Sequence, residues 1–318
     1  MSIQNNDKIL NLQLITARSK DVGGLPVARV LPTRERRLIG AWCFLDHAGP
    51  TVFKGDSEGM KVSPHPHTAL QTFTWMIEGE VLHRDSLGYE QVIRPGQVNL
   101  MTAGYGISHS EDTYGESRRL HAVQLWIALP EAVKDISPRF DHYPTLPRWS
   151  EGEMHFNLLV GEYGTYKAPT LTFSPLVGLD IIAKKTARQV LTLCSEFEYG
   201  IFVVSGSAVI EGQQVNSNEL IYLGKSITEI SVELASDSHI LLLGGEPLNE
   251  SVLMWWNFIG RTKADIHAAV EEWNQGNPRF GRVFNDERNP THSNYAIINL
   301  SNFLVIILSK PRMVLNLI

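Results

Sequence analysis

From Gly40 to Leu129, short runs of β-branched and aromatic residues alternate with Gly, Pro, Asp and Asn, and that rhythm fits a sandwich or barrel far better than a helical bundle. Strands are expected over Ala41 to Leu45, Leu70 to Glu78, Gly79 to His83, Gln91 to Ile93, Val98 to Thr102 and Ala122 to Ala128. Glu78-Gly79-Glu80, Asp85-Ser86-Leu87-Gly88 and Arg94-Pro95-Gly96 supply turns, the last because Pro presets φ and Gly tolerates positive φ. The rhythm returns at Gly200 to Ile210, Glu219 to Leu223 and Ile240 to Leu243, and Val204-Ser205-Gly206-Ser207 echoes Ile77-Glu78-Gly79-Glu80, which points to an internal duplication.

A length of 318 residues suits two domains. Pro130, Pro138, Pro144 and Pro147, set among charged residues, mark the connection, which divides the chain into a first barrel in 1–135, a linker in 136–154 and a second barrel in 155–283. Near the end of the second barrel, Thr262 can cap a helix over 262–275, in which Asp265 complements the N-terminal dipole, Ile266, Val270 and Trp273 form one stripe and Gly276 supplies the stop. Residues 284–318 have no clear helical or strand period. They are expected to be a dispensable tail, either poorly ordered or docked through the apolar run Phe303 to Leu308.

Composition excludes several function classes. A net charge of −6 offers no basic field for direct nucleic-acid binding. The longest apolar run is six residues, far short of a membrane helix. The start, MSIQNNDKIL, lacks the features of a secretory signal, and two cysteines, Cys43 and Cys194, read as buried free thiols, so a cytoplasmic location is expected.

The chemistry-bearing residues are His65-Pro66-His67 and His109-Ser110-Glu111. Residues i and i+2 of a strand share a face, so each pair aims two ligand-type side chains one way. One HxH alone is more often a pair of surface or structural histidines. If the two strands face one another across a small barrel, three imidazoles and a carboxylate converge on a point that suits one divalent first-row metal. His83-Arg84-Asp85 reads as a hydrogen-bond network at a hairpin end, His121 as a candidate pocket residue, and the lone His239 as structural. Trp75, Trp126, Trp255 and Trp256 read as core and interface residues.

The segments FLDHAGP, HPHTALQT, EGEVLHRDSLG, IRPGQVNLMTAGYGISHSE and LHAVQLWIALP resemble the pirin family of the cupin superfamily, and LLGGEPL, Trp255-Trp256 and NPRFG continue the likeness from about residue 20 to 283. The resemblance implies an all-β bicupin: two double-stranded β-helix barrels packed face to face, with a C-terminal helix. It implies a metal in the N-terminal barrel alone, held by His65, His67, His109 and Glu111. Iron is the first expectation, with Mn, Co, Ni, Cu or Zn as alternatives. Some bacterial pirins resemble quercetin 2,3-dioxygenases, which implies a flavonol or similar small aromatic substrate and Glu111 as the catalytic base. The competing implications are a regulatory protein that binds a transcription factor or metabolic enzyme, and a metal-dependent isomerase or lyase.

Two departures stand out. Thr68-Ala69-Leu70-Gln71 replaces the family's Arg-Gly-Phe-Glu, removing a Glu expected near the site and altering its surroundings, and the family usually stops soon after the RFG segment. The second barrel's region corresponding to the HxH, taken as Glu196 to Gly200, has no histidine, so that barrel is expected to bind no metal.

Overall fold

The computed structural model describes residues 12–55, 57–290 and 306–307. Its sheets realise the duplication strand for strand. In the first half a seven-stranded sheet runs Arg139–Tyr143, Val98–Thr102, Leu70–Glu78, Arg119–Ala128, Trp42–Val52, Leu25–Leu31, Arg18–Val22. In the second half the same order reads Gln13–Thr16, Glu219–Lys225, Glu198–Ser205, Ser238–Gly245, Leu176–Ala183, Met154–Val160, Arg148–Glu151. Each large sheet has a four-stranded companion: Lys61–His67, Ile107–Thr113, Val81–Asp85, Glu90–Ile93 in one, and Ala187–Thr192, Glu229–Leu234, Ser207–Ile210, Gln213–Asn216 in the other. The fold is an all-β bicupin with, among the described residues, one α-helix, Lys263–Asn274, near the C-terminal end of the second half.

The two halves exchange edge strands. Gln13–Thr16 pairs with Glu219–Lys225 of the second barrel, and Arg139–Tyr143, within the stretch read as a linker, pairs with Val98–Thr102 of the first. Arg148–Glu151, from the same stretch, pairs with Met154–Val160. The connection is therefore pleated into both sheets.

The turns follow from backbone chemistry. Gly79 has φ +84°, and a Cβ there would stand 2.1 Å from the Arg119 carbonyl oxygen, so the close approach as well as the turn requires glycine. Gly206, φ +73°, does the same work between Glu198–Ser205 and Ser207–Ile210, at the position whose sequence echoes the Gly79 turn. The helix starts as its sequence demands, with a reciprocal capping box between Thr262 and Asp265, and buries Ile266, Ala269, Val270 and Trp273 against Phe258 and Phe280.

The main apolar seam lies between the barrels. Trp42, Leu45, Phe73, Val123 and Leu125 of the first half pack with Phe202, Leu220, Leu241 and Leu243 of the second. Trp42 is fully buried, meets Phe73 edge to face at 5.6 Å, and donates its indole N–H to the Gly244 carbonyl at 3.1 Å. Because strand side chains alternate, the same strands of the second barrel send Ile201, Val203, Ile240 and Leu242 inward, where they join Leu191, Ile230 and Val232 of its small sheet in a continuous aliphatic filling.

Three expectations are corrected. The strand matching His65 and His67 is Ala187–Thr192, not Glu196 to Gly200, since it holds the same place in sheet order. Cys43 is buried, but Cys194 is exposed in a turn with its thiol 3.1 Å from Glu196. Residues 284–290 dock by contacts of their own, ahead of the apolar run: the Phe284 N–H donates to the Asp85 carbonyl at 3.0 Å, and Arg288 forms two hydrogen bonds to Asp112 at 2.9 and 2.8 Å. Ile306–Ile307, inside the apolar run, pairs antiparallel with Leu253–Trp255. Residues 291–305 and 308–318, and the N-terminal segment read for a secretory signal, lie outside the described residues. Among the described residues no helix is long and apolar enough to cross a membrane.

Replacing Trp42 with Ala is expected to cost about 3–5 kcal/mol and to destabilise both barrels together, because its ring belongs to both. Urea unfolding followed by circular dichroism should show one transition at a lower midpoint; loss of one barrel alone would contradict a shared core.

Candidate metal centre

His65 and His67 stand on Lys61–His67, and His109 and Glu111 on Ile107–Thr113. These strands do not face one another across the barrel, as the sequence reading supposed. They are hydrogen-bonded neighbours in the small sheet, with His109 opposite His65, Ile107 opposite His67, and a register shift between His109 and Glu111. On the other flank of Ile107–Thr113 runs Val81–Asp85, which sets His83 opposite Glu111. Ahead of His109, Gly104 makes the tight turn at φ +52°, where a Cβ would meet the Ile136 carbonyl oxygen at 1.9 Å.

Two overlapping groups of ligand-type side chains result. The donor atoms of His65, His67 and His109 lie within 4.8 Å of one another, and so do those of His83, His109 and Glu111. The sequence reading selected His65, His67, His109 and Glu111; here the three histidines gather as one group, while Glu111 joins through His109 and brings in His83.

The protonation pattern suits a cation. The Nδ1–H of His65 donates to the Ser63 carbonyl at 2.9 Å and that of His67 to the Asn257 carbonyl at 3.0 Å, which leaves the Nε2 lone pairs free. His67 Nε2 stands 3.2 Å from His109 Nε2. Burial pushes His65 down to about 4 and His67 and His109 well below the ordinary imidazole range, with the neighbouring histidines adding to the depression of the latter two. Neutral imidazoles aimed at one point are the form in which histidine binds metal. Burial raises the Glu111 carboxyl above its usual range.

Outside this group, His109 Nδ1 lies 3.4 Å from His83 Nδ1, and His83 Nε2 lies 3.1 Å from Asp85 Oδ2. Asp85 Oδ1 accepts from the Leu87 and Tyr89 amides at 2.9 and 3.1 Å. The hairpin-end network expected from His83-Arg84-Asp85 is present and reaches His109 as well.

The group opens onto a cavity of about 460 Å³ inside the first barrel, within the size range of small-molecule sites. Its floor is the large sheet, where Phe44 and Trp126 stack at 4.0 Å. Trp256, read from sequence as a core or interface residue, is instead 41% exposed at φ +51° and lines this cavity, and buried Trp126 lines it too. His121, a pocket candidate, points to the other side of the sheet: its Nε2 is 2.7 Å from His47 Nε2, and His47 Nδ1 is 2.7 Å from Asn218 of the second half. Gln71, which stands where the family's Glu is expected, does not line this cavity; it bonds Thr102 at 3.0 Å and the Leu171 carbonyl at 3.3 Å. His239 is tied to Asp180, which also accepts from Trp75 at 3.0 Å.

Sequence reasoning missed Asn257, which reaches His67 from the far half of the chain, and the floor residues Arg29, Asp46, Thr74 and Gln124. The alternation 44-46-48, 72-74-76 and 122-124-126 would have found the floor, had the polar members of those strands been followed.

Family models match two segments: residues 24–127 match Pirin and residues 178–281 match the Pirin C-terminal cupin domain. A Pseudomonas aeruginosa protein provisionally named a quercetin 2,3-dioxygenase is 50% identical over 273 residues, 86% of each chain. A pirin-like protein of Caulobacter vibrioides is 36% identical, covering 82% of this chain and 92% of its own. The crystal structure of a quercetin 2,3-dioxygenase from Acinetobacter baumannii superposes with TM-score 0.83 at 46% identity, covering 85% of this chain and 90% of that one.

Asp85 is fully buried and holds three donors, so Asp85→Ala is expected to destabilise the protein by about 3 kcal/mol or more, through the unsatisfied Leu87 and Tyr89 amides and the released His83. A thermal midpoint within a degree of wild type would show that the network carries no load.

Proposed function

The chain belongs to the pirin family, and from that premise we propose that it is a metal-dependent flavonol 2,3-dioxygenase working in the first barrel. The observation that carries this reading is the convergence of three neutral imidazoles, with a carboxylate alongside, on a largely apolar cavity. The named activity of relatives at 50% and 46% identity supports the choice of substrate.

In this proposal His65, His67, His109 and Glu111 hold one divalent transition ion, iron being the first candidate. When bound, that ion would supply Lewis acidity favouring the deprotonated 3-hydroxyl of a flavonol, and a centre for reaction with dioxygen. The remaining chemistry falls to the chain. Glu111, whose buried carboxyl holds protons more tightly than a free one, accepts the proton of the 3-hydroxyl. Thr74, its hydroxyl 3.4 Å from Glu111 Oε1, helps orient that carboxylate. The backbone carbonyls of Ser63 and Asn257 keep His65 and His67 in the tautomer that presents Nε2. Phe44, Trp126 and the apolar cavity wall exclude bulk water around a planar substrate.

The test is elemental analysis of the purified protein together with a quercetin assay that follows loss of flavonol absorbance, uptake of one dioxygen and release of one carbon monoxide per turnover. A metal-loaded protein with no turnover would overturn the reading. His67→Ala is expected to abolish stoichiometric metal binding with an unchanged far-ultraviolet circular dichroism spectrum; full occupancy in that variant would remove His67 from the ligand set. Glu111→Gln keeps size and an oxygen donor but loses the base, so kcat should fall about 100-fold or more while part of the metal is retained.

A further inference from the structure

The cavity floor carries a polar row of which, beyond its Thr74 end, neither metal binding nor proton transfer makes use. Four adjacent strands of the large sheet place Thr74, Gln124, Asp46 and Arg29 side by side in register: Thr74 opposite Gln124, Gln124 opposite Asp46, and Asp46 opposite Arg29. All four line the cavity. The rows beside it are mainly apolar. On one side Phe44, Trp126 and Thr72 lie in register, with Thr72 the polar member, and on the other Met76, Ala122, Ala48 and Val27 follow in register.

The row is linked at both ends. The Thr74 hydroxyl is 2.8 Å from the Gln124 amide oxygen as well as 3.4 Å from Glu111. Arg29 holds Asp46 with two parallel hydrogen bonds, Nε to Oδ1 at 2.7 Å and Nη2 to Oδ2 at 2.6 Å, and lies over the Phe44 ring at 4.6 Å. A guanidinium has five N–H donors, so this pairing leaves three for other acceptors. Burying polar groups on a floor that aliphatic side chains could pack costs stability, and such breaks with local packing rules concentrate at functional sites.

We propose that this row is a recognition rail for a planar aromatic ligand that bears hydroxyl groups on the ring farthest from the metal centre. The rail begins beside Glu111 and runs three interstrand steps, about 14 Å, to Arg29. A ligand chelated at the metal end and packed against Phe44 and Trp126 therefore lays its distal ring along Gln124 and Asp46. There the Asp46 carboxylate accepts from a phenolic hydroxyl, and the Gln124 amide and Arg29 guanidinium donate to its oxygen. Gln124, Asp46 and Arg29 determine specificity and take no part in the proton transfer. The proposal deepens the dioxygenase reading and rests on it for the choice of probe.

Equilibrium binding to the metal-loaded protein under argon, read by tryptophan quenching, tests it with two flavonols: quercetin, with two hydroxyls on the pendant ring, and galangin, with none there. Wild type is expected to bind quercetin about tenfold or more tighter than galangin, the size of one well-made charged hydrogen bond. Gln124→Leu should shrink that ratio by about threefold or more. The double variant Arg29→Met with Asp46→Leu, which removes both members of the ion pair and strands neither, should bring the ratio close to one. A wild-type ratio below about threefold, no binding of either flavonol, or variants that weaken both ligands equally would each overturn the proposal. Retained discrimination without oxygen uptake would overturn the dioxygenase reading and leave the rail standing.

Discussion

Everything in this molecule depends on the large sheet of the first half being buried on both of its faces. Its central strands turn Leu45, Phe73, Val123 and Leu125 toward the second barrel, and Phe44, Thr74, Gln124 and Trp126 toward the cavity. A period-2 backbone separates these two jobs without compromise between them. One face supplies the apolar burial that binds the barrels together, so the other is free to carry polar side chains that a single-cored barrel of this size could hardly tolerate.

The second barrel shows what the first would be without a site. Its strands keep the same order, yet where the first half carries histidines and an open cavity the second has Leu191, Ile230 and Val232 closing a continuous core. Removing water from three imidazoles and a carboxylate is unfavourable, as the depressed histidines and the raised Glu111 register. A filled barrel packed against an unfilled one offsets that burden within one chain.

Much of this was legible in the residues. Leu70–Glu78 and Val98–Thr102 fall where their alternation and flanking turns set them, and the helix Lys263–Asn274 begins after its Thr262 cap and stops just short of Gly276. Both histidine motifs announced themselves because i and i+2 share a strand face. What escaped was anything that depends on which strands become neighbours. Strand periodicity says that His65 and His109 each point to one side; only the sheet order makes them cross-strand partners and brings His83 beside Glu111. The contribution of Asn257, 190 residues beyond His67, was illegible for the same reason, as was the turning of His121 toward His47. Cys194 was misread because apolar neighbours in sequence do not guarantee burial in a turn.

The exchanged edge strands bear on how such a protein can be divided. A conventional cut between the matched segments, anywhere before Arg139, strips the first barrel of the strand that covers Val98–Thr102 and leaves it with a foreign one, Gln13–Thr16, whose partner is gone. The excised piece would expose a row of unpaired amides and carbonyls and would tend to recruit another chain to cover them. The two halves are thus stitched like interleaved pages. Any division of this scaffold has to leave Arg139–Tyr143 with the first barrel and Gln13–Thr16 with the second, ignoring the boundary that the duplication itself suggests.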